Sequence, residues 1–274
     1  MLVVGLSGQV GEALLPLLLA REPAIHALSR GARQDAEQLR WLRGSLEAMP
    51  ALPEQIQTIV SLGPLDAFAR WLTAGQWHGA RIVALGSTGR VDKANSADAG
   101  ERDLALRLQD AEDVLFNTTE SRSIAATLLR PTLLYGNGRD QTVSRLVEAA
   151  RRSPVVVLPS HALGLRQPVH VGDVAEAVIR CLDVPGTAGK AYDLPGGETL
   201  SFLDLARRSI NAHVPGKPVL AVPSFVFDGA LALLRIAGRA PAGLGSLARL
   251  RQDQVADGSP ARRDFGFHPR PFQP

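Results

Sequence analysis

MLVVGLSGQVGEALLPLLLA, residues 1–20, is the stretch whose reading decides the fold. Leu2, Val3 and Val4 form a short apolar run suited to a strand covered on both faces. Gly5, Gly8 and Gly11 follow at GxxGxxG spacing, and Leu14, Leu15 and Leu18 then repeat with helical period. A strand that turns through glycines into a helix is the opening unit of a dinucleotide fold. Gly5 lets the chain turn, Gly8 removes a side chain where a pyrophosphate would approach, and Gly11 allows the helix to pack close to the sheet. The helix N-terminus then offers free N–H groups and partial positive charge to the phosphates. A tight strand–helix turn without a ligand is the alternative. LLPLLLA mimics the apolar part of a signal peptide, but glycines rather than a basic leader precede it, which argues for the cytoplasm.

Composition is that of a soluble globular protein: 274 residues, 45% hydrophobic and 21% charged. No apolar run reaches the roughly 18 residues needed to span a bilayer. A single cysteine, Cys181, excludes an internal disulfide and a cysteine-cluster metal site. The pI near 9.5 accompanies a net charge of only +3. Scattered arginines without a nucleic-acid motif argue against a nucleic-acid partner. His26 falls in a strand, and His78, His161, His213 and His268 lack metal-ligand spacing, so no metal is expected.

Further along, AIHALSR (24–30) reads as a second strand. Where an NAD site would place an acidic residue on the adenine ribose, the chain carries Ser29, Arg30 and, slightly later, Arg33. Arginine there suits a 2′-phosphate and favours NADP over NAD, with a solvated arginine at a strand end as the alternative. AEQLRWLR (36–43) reads as a polar helix. IQTIVSLG (56–63) and RIVALGSTG (81–89) read as core strands, and 101–116 as a helix with Leu104, Leu108, Ala111 and Leu115 on one face. A strand ending near Arg130 follows. This alternation predicts an α/β, Rossmann-type, doubly wound parallel sheet. Residues 1–137 are expected to form the dinucleotide-binding domain, with about 165–195 returning to it, and 138–274 to form mainly a small C-terminal α/β substrate lobe. The last forty residues read as helical and then as rich in arginine and proline.

These segments, taken in order, resemble the extended or atypical short-chain dehydrogenases/reductases of the NAD(P)-dependent epimerase/dehydratase group. GLSGQVG resembles the family's glycine turn, VALGSTG its Ser-Ser-Thr strand end, and LLRPTLLYGNG its Arg-Pro-x-x-x-Tyr-Gly segment. QPVHVGDVAEAVIRCLD, KAYDLPGGETLSFLDLA and DGSPARRDFGFHPR resemble its later signatures. The likeness covers nearly the whole chain. It implies a dinucleotide held by Gly5, Gly8, Gln9, Val10 and Gly11, by Ser29 and Arg30, by Leu62 and Gly63, and by Pro131. It also implies a small polar or sugar-like substrate held near Ser87 and Thr88, and a possible homodimer through the helix after the Ser-Thr strand.

The family's Tyr-x-x-x-Lys proton relay is missing. The chain's tyrosines are Tyr135 and Tyr192, and the residues four further on are Arg139 and Gly196. Aligning Glu112 with the family's helix glutamate puts Leu104 and Leu108 at the relay positions; a slip of one residue puts Asp103 and Arg107 there. Tyr135, near the expected substrate mouth, is a candidate proton donor, with a packed loop tyrosine as the alternative. His170 and Asp173 are expected to cap a helix and dock the second lobe. The implied activity is oxidoreductase or epimerase chemistry through a non-standard donor. Its rival is a catalytically idle nucleotide-binding redox sensor or scaffold.

Overall fold

The computed structural model describes residues 1–53, 55–75, 77, 79–223, 225–229 and 250–274. His78 and most of the helical stretch expected within the last forty residues lie outside them. The described chain runs β1 (Leu2–Val4), α1 (Gln9–Leu19), β2 (Ile25–Ser29), β3 (Leu39–Arg43), β4 (Thr58–Ser61), α2 (Leu65–Ala74), β5 (Arg81–Leu85), α3 (Gly89–Asp92), α4 (Ala99–Ser121) and β6 (Ala125–Pro131). There follow β7 (Leu134–Tyr135), α5 (Val143–Arg152), β8 (Val156–Pro159), β9 (Leu165–Arg166), β10 (Val169–His170), α6 (Val171–Asp183), β11 (Lys190–Leu194), β12 (Leu200–Ser201), α7 (Phe202–His213), β13 (Val219–Val222) and, last, a helix at Ser259–Phe265, here α8.

Seven strands form one sheet in the order β11-β6-β5-β4-β1-β2-β3, every neighbouring pair parallel. Parallel pairing forces each crossover across a face of the sheet, so both faces are covered. Val3, Leu14 and Leu18 pack with Val174 and Val178 of α6 on one face, and Leu2, Ile59, Phe68, Leu72 and Leu115 on the other. Chain order reverses between β1 and β4. Their C-terminal ends therefore form the crevice where sheets of this kind take ligands.

The sequence reading fails at residues 36–43, which are not helical. Leu39–Arg43 is the edge strand β3, paired with β2 from Ile25↔Leu39 to Ser29↔Arg43. A short run of this pattern suits either period, and tertiary pairing decides. Leu39 and Trp41 reach the cluster under α1 and α6, while Leu42 faces the opposite cluster.

The later segments interleave with this sheet. β11 pairs with β6 at the sheet edge, and α6 packs against α1. α5 and α7 pack together beside the parallel pair β8–β13. The C-terminal segment is fastened by Asp173, whose carboxylate accepts from the Arg270 backbone N–H at 3.0 Å and from its Nε at 2.7 Å. His170 is the N-cap of α6, its Nδ1 accepting from the Gly172 N–H at 3.0 Å.

Candidate functional site at the sheet crevice

The glycine turn owes its shape to close approaches that any side chain would obstruct. Gly5 has φ +82°, and a Cβ there would lie 2.9 Å from Leu62 C and Gly63 N. The turn therefore rests on the exit of β4, which explains why Leu62 and Gly63 share the site. Gly8 is the N-cap of α1 and donates to Gly5 O at 2.9 Å; a Cβ on it would meet only Gly5 O, at 3.2 Å. Gly11 acts differently from expectation. A Cβ there would overlap the backbone of Leu6, so this glycine seats the helix on its own turn rather than on the sheet.

Between the turn and the ends of β4, β5 and β6 lies a cavity of about 310 Å³. Gly5, Gly8, Gln9, Val10, Gly11, Leu62, Gly63 and Pro131 line it, as do Leu85, Gly86, Leu108 and Leu134. Ser29 and Arg30 do not. Ser29 is buried at the end of β2, its hydroxyl donating to Gly31 O at 2.9 Å, and Arg30 is exposed beside it. Arg33 stacks over Trp41, 4.9 Å from the ring centroid.

Gln9 Oε1 and, behind the cavity at the end of β4, Ser61 Oγ are buried without a hydrogen-bond partner among the described residues. Buried acceptors of this kind are normally satisfied, and a ligand in the crevice would supply the missing donor to Gln9. With the bare backbone at Gly8, they make the turn a fitting cradle for a dinucleotide.

The quarter of the cavity at the ends of β5 and β6 is apolar. Among the described residues, the cavity lining carries no ionisable side chain, and Leu108 of α4 stands in its wall. Ser87 and Thr88 leave β5 beside this quarter but face away from it. Ser87 Oγ accepts from the Gly89 N–H at 3.0 Å, and the buried Thr88 hydroxyl donates to the Asp92 carboxylate at 3.1 Å. Thr88 instead lines a second cavity of about 120 Å³, shared with Arg90, Asp92, Arg130, Asp193 and Ala256.

Tyr135 is not at the mouth of either cavity. It is 1% exposed, packed edge-on against His170 and Phe272. Its hydroxyl donates to Pro271 O at 3.4 Å and accepts from the Gln273 N–H at 3.3 Å. Burial pushes its pKa above the ordinary value, the opposite of what proton release requires. Its neighbour Leu134 reaches the cavity instead, because alternate residues of a strand point to opposite sides.

Sequence reasoning used Glu112 only to set a register and missed what it does. Its carboxylate, 2% exposed, binds Arg90 Nη1 at 2.5 Å and Arg130 Nη2 at 2.5 Å, and Arg130 reaches on to Asp193 at 3.5 Å. A glutamate on the apolar stripe beside Leu108, Ala111 and Leu115 was the available signal. A charge facing a core requires a partner, and the nearby Arg-Pro segment offered one.

A strand order with one reversal, a glycine turn at the reversal and a crevice above it define a Rossmann-type dinucleotide fold. Residues 109–194 match the model of the NAD dependent epimerase/dehydratase family. Over 165 residues it is 30% identical to a 2-alkyl-3-oxoalkanoate reductase of Stenotrophomonas maltophilia, covering 54% of this chain and 48% of that one. Over 115 residues it is 23% identical to the UDP-glucose 4-epimerase of Vibrio cholerae, covering 42% and 35% respectively. The chain thus spans less than half the length of these curated relatives. Among solved structures, MoeE5 in complex with UDP-glucuronic acid and NAD superposes with a TM-score of 0.72 at 18% identity, covering 99% of this chain and 94% of that one. WbmF of Bordetella bronchiseptica in complex with NADH gives 0.69 at 16% identity, covering 97% and 85%. At such identities the superpositions establish the shared fold.

Proposed function

We propose that this protein binds a nicotinamide dinucleotide in the crevice and works as a reductase- or epimerase-like oxidoreductase on a small polar or sugar-like substrate, without the family's Tyr–Lys relay. The observation that carries this reading is the convergence of the glycine turn, Leu62, Gly63 and Pro131 on one cavity at the topological switch point. MoeE5 and WbmF, solved in complex with NAD and NADH, support it. When bound, the nicotinamide would take up or deliver a hydride. The exposed Arg30 at the end of β2 would favour NADP(H) through a charge-assisted contact with a 2′-phosphate.

The chain's own residues limit the chemistry. The Thr88 hydroxyl, fixed on Asp92, is the polar group best placed to meet a substrate oxygen from the second cavity. Arg90 and Asp193 offer that cavity a donor and an acceptor. Leucine at position 108 neither holds nor moves a proton. A second reading rests on that observation: a binding-only redox sensor or scaffold. The buried Cys181 thiol has its pKa pushed up to about 12 by burial, which makes it an unreactive core group rather than a candidate nucleophile. Pairing through α2 and α4 would use an outward face where Leu106 and Val114 are exposed among charged residues, so a homodimer formed there would be modest.

Calorimetry with NADPH and NADH tests the binding claim, and Gly8→Val should abolish it. Nicotinamide absorbance with a panel of carbonyl compounds and sugar nucleotides separates the two readings. Turnover lost in Thr88→Val but kept in Tyr135→Phe supports the oxidoreductase; tight binding without turnover supports the sensor. Activity gained by Leu104→Tyr with Leu108→Lys would support the register assumed for the missing relay.

A further inference from the structure

The segment that follows β7 reaches back across the molecule to the glycine turn. Gly136, Asn137 and Gly138 adopt φ of +111°, +56° and +63°, three consecutive left-handed residues that reverse the chain over the start of α1. Asn137 Nδ2 donates to Gln9 O at 3.2 Å, and Arg139 Nη1 donates to Ser7 O at 3.2 Å. Arg139 is also ion-paired with Glu12, in the first turn of α1. The segment is held at both ends. Tyr135 is locked in the core before it, and after it the Asp140 carboxylate accepts from the N–H groups of Thr142 at 3.0 Å and Ser144 at 3.1 Å.

Arg139 is thus a half-exposed cation, on a fixed backbone, touching the residue that precedes Gly8. Its present carboxylate partner has an awkward location. A glutamate in the first turn favours the helix dipole, but it opposes any anion approaching the same N-terminus. A guanidinium has a fork of donors, and one shared with Glu12 can turn to a phosphate without moving its backbone.

We propose that Arg139 is a pyrophosphate-binding residue of the crevice, parked on Glu12 and Ser7 until the dinucleotide arrives. This rests on the dinucleotide reading above. It assigns to the second half of the chain a ligand contact that the glycine turn alone would otherwise supply through backbone N–H groups. It also makes the reversal at 136–138 part of the binding site.

The test is calorimetry with NADPH and with ADP-ribose, which shares the pyrophosphate but lacks the nicotinamide, on the full chain. Arg139→Gln should weaken both ligands by about tenfold, and Arg139→Lys by less, because lysine keeps the charge and loses the fork. The deciding comparison uses Glu12→Gln. If Arg139 contacts the pyrophosphate, Arg139→Gln in the Glu12→Gln background still weakens binding by about tenfold or more. If Arg139 only masks the carboxylate, the loss disappears in that background and the proposal is overturned. Unchanged affinity in the single Arg139→Gln variant overturns it equally. These outcomes are distinct from failure of the dinucleotide reading, in which the parent chain itself binds neither ligand. Thermal melts of each variant, expected to match the parent because both side chains are about half exposed, confirm that binding and not folding is being read.

Discussion

Gly5, Gly8 and Gly11 line one side of the central cavity, and Leu85, Leu108 and Leu134 line the other. On the glycine side the features that suit a dinucleotide are present together: the positive φ of Gly5, the open N-cap at Gly8 and the seat that Gly11 makes on Leu6. On the leucine side the strand ends and α4 present apolar side chains, and the charged groups lie behind them. Glu112 faces Arg90 and Arg130 instead of the cavity. A fold can therefore keep its ligand cradle while the adjoining quarter is rebuilt, because the cradle depends on backbone shape and the chemistry on a few side chains.

The comparison breaks most sharply at Glu112. Removing it as Glu112→Ala leaves Arg90 and Arg130 partly buried without their shared carboxylate. Urea unfolding should show a loss of about 3–5 kcal/mol, as for other broken buried ion pairs. A loss below about 1 kcal/mol would mean that water solvates the arginines and that the network is not structural.

Next in size is the contrast within the glycine turn. Gly11→Ala drives a methyl into the Leu6 backbone and should cost about 1–3 kcal/mol. Gly8→Ala should cost less than about 0.5 kcal/mol, because its Cβ meets only the carbonyl of Gly5. Equal losses in chemical denaturation would show that the two glycines have the same task.

A smaller effect is expected at the far end of the nucleotide half. Arg30→Ala should reduce any preference for NADPH over NADH by about tenfold, equivalent to about 1.4 kcal/mol, with NADH affinity unchanged in calorimetry. A preference that survives would move the 2′-phosphate contact elsewhere, Arg33 being the adjacent cation.

The smallest effect is a pH dependence at His170. Burial, with Arg270 nearby, holds its pKa below the ordinary 6.5, and the unprotonated Nδ1 is what accepts the Gly172 N–H. The unfolded chain takes up that proton first. The contribution is therefore complete above the unfolded value and is lost as pH falls below it toward the folded value. Urea midpoints at about pH 7.5 and about pH 5.5 should differ less in His170→Asn, which retains a capping acceptor but does not titrate.

Much of this architecture was readable in advance because it is written in period and punctuation. The β1 turn, the core strands at 56–63 and 81–89 and the apolar stripe of α4 are local patterns, and the parallel sheet follows from their alternation. β3 was not readable, since a short amphipathic run fits two periods until a neighbouring strand selects one. Gln9, Leu62, Gly63 and Pro131 meet in one cavity because the fold brings together the exits of β1, β4 and β6. Tyr135 shows the opposite limit: its sequence neighbourhood pointed to the cavity, but strand alternation and the arrival of Phe272 buried it. The contact between Arg139 and Ser7 joins residues whose separation carries no sequence signal.

The fastening of Arg270 to Asp173 spans 97 residues of chain, and that of Gln273 to Tyr135 spans 138. During synthesis the sheet therefore waits. β1 to β6 can begin to assemble early, but β11 must close one edge, and Phe265 and Phe267 must cover the α6 side of the core, before the apolar surface is sealed. Such late closures slow folding, and they leave a nascent or prematurely ended chain sticky at an edge strand and along α6. A chain without Phe265, Phe267 and the segment that Asp173 holds would leave that surface open to chaperones and proteases.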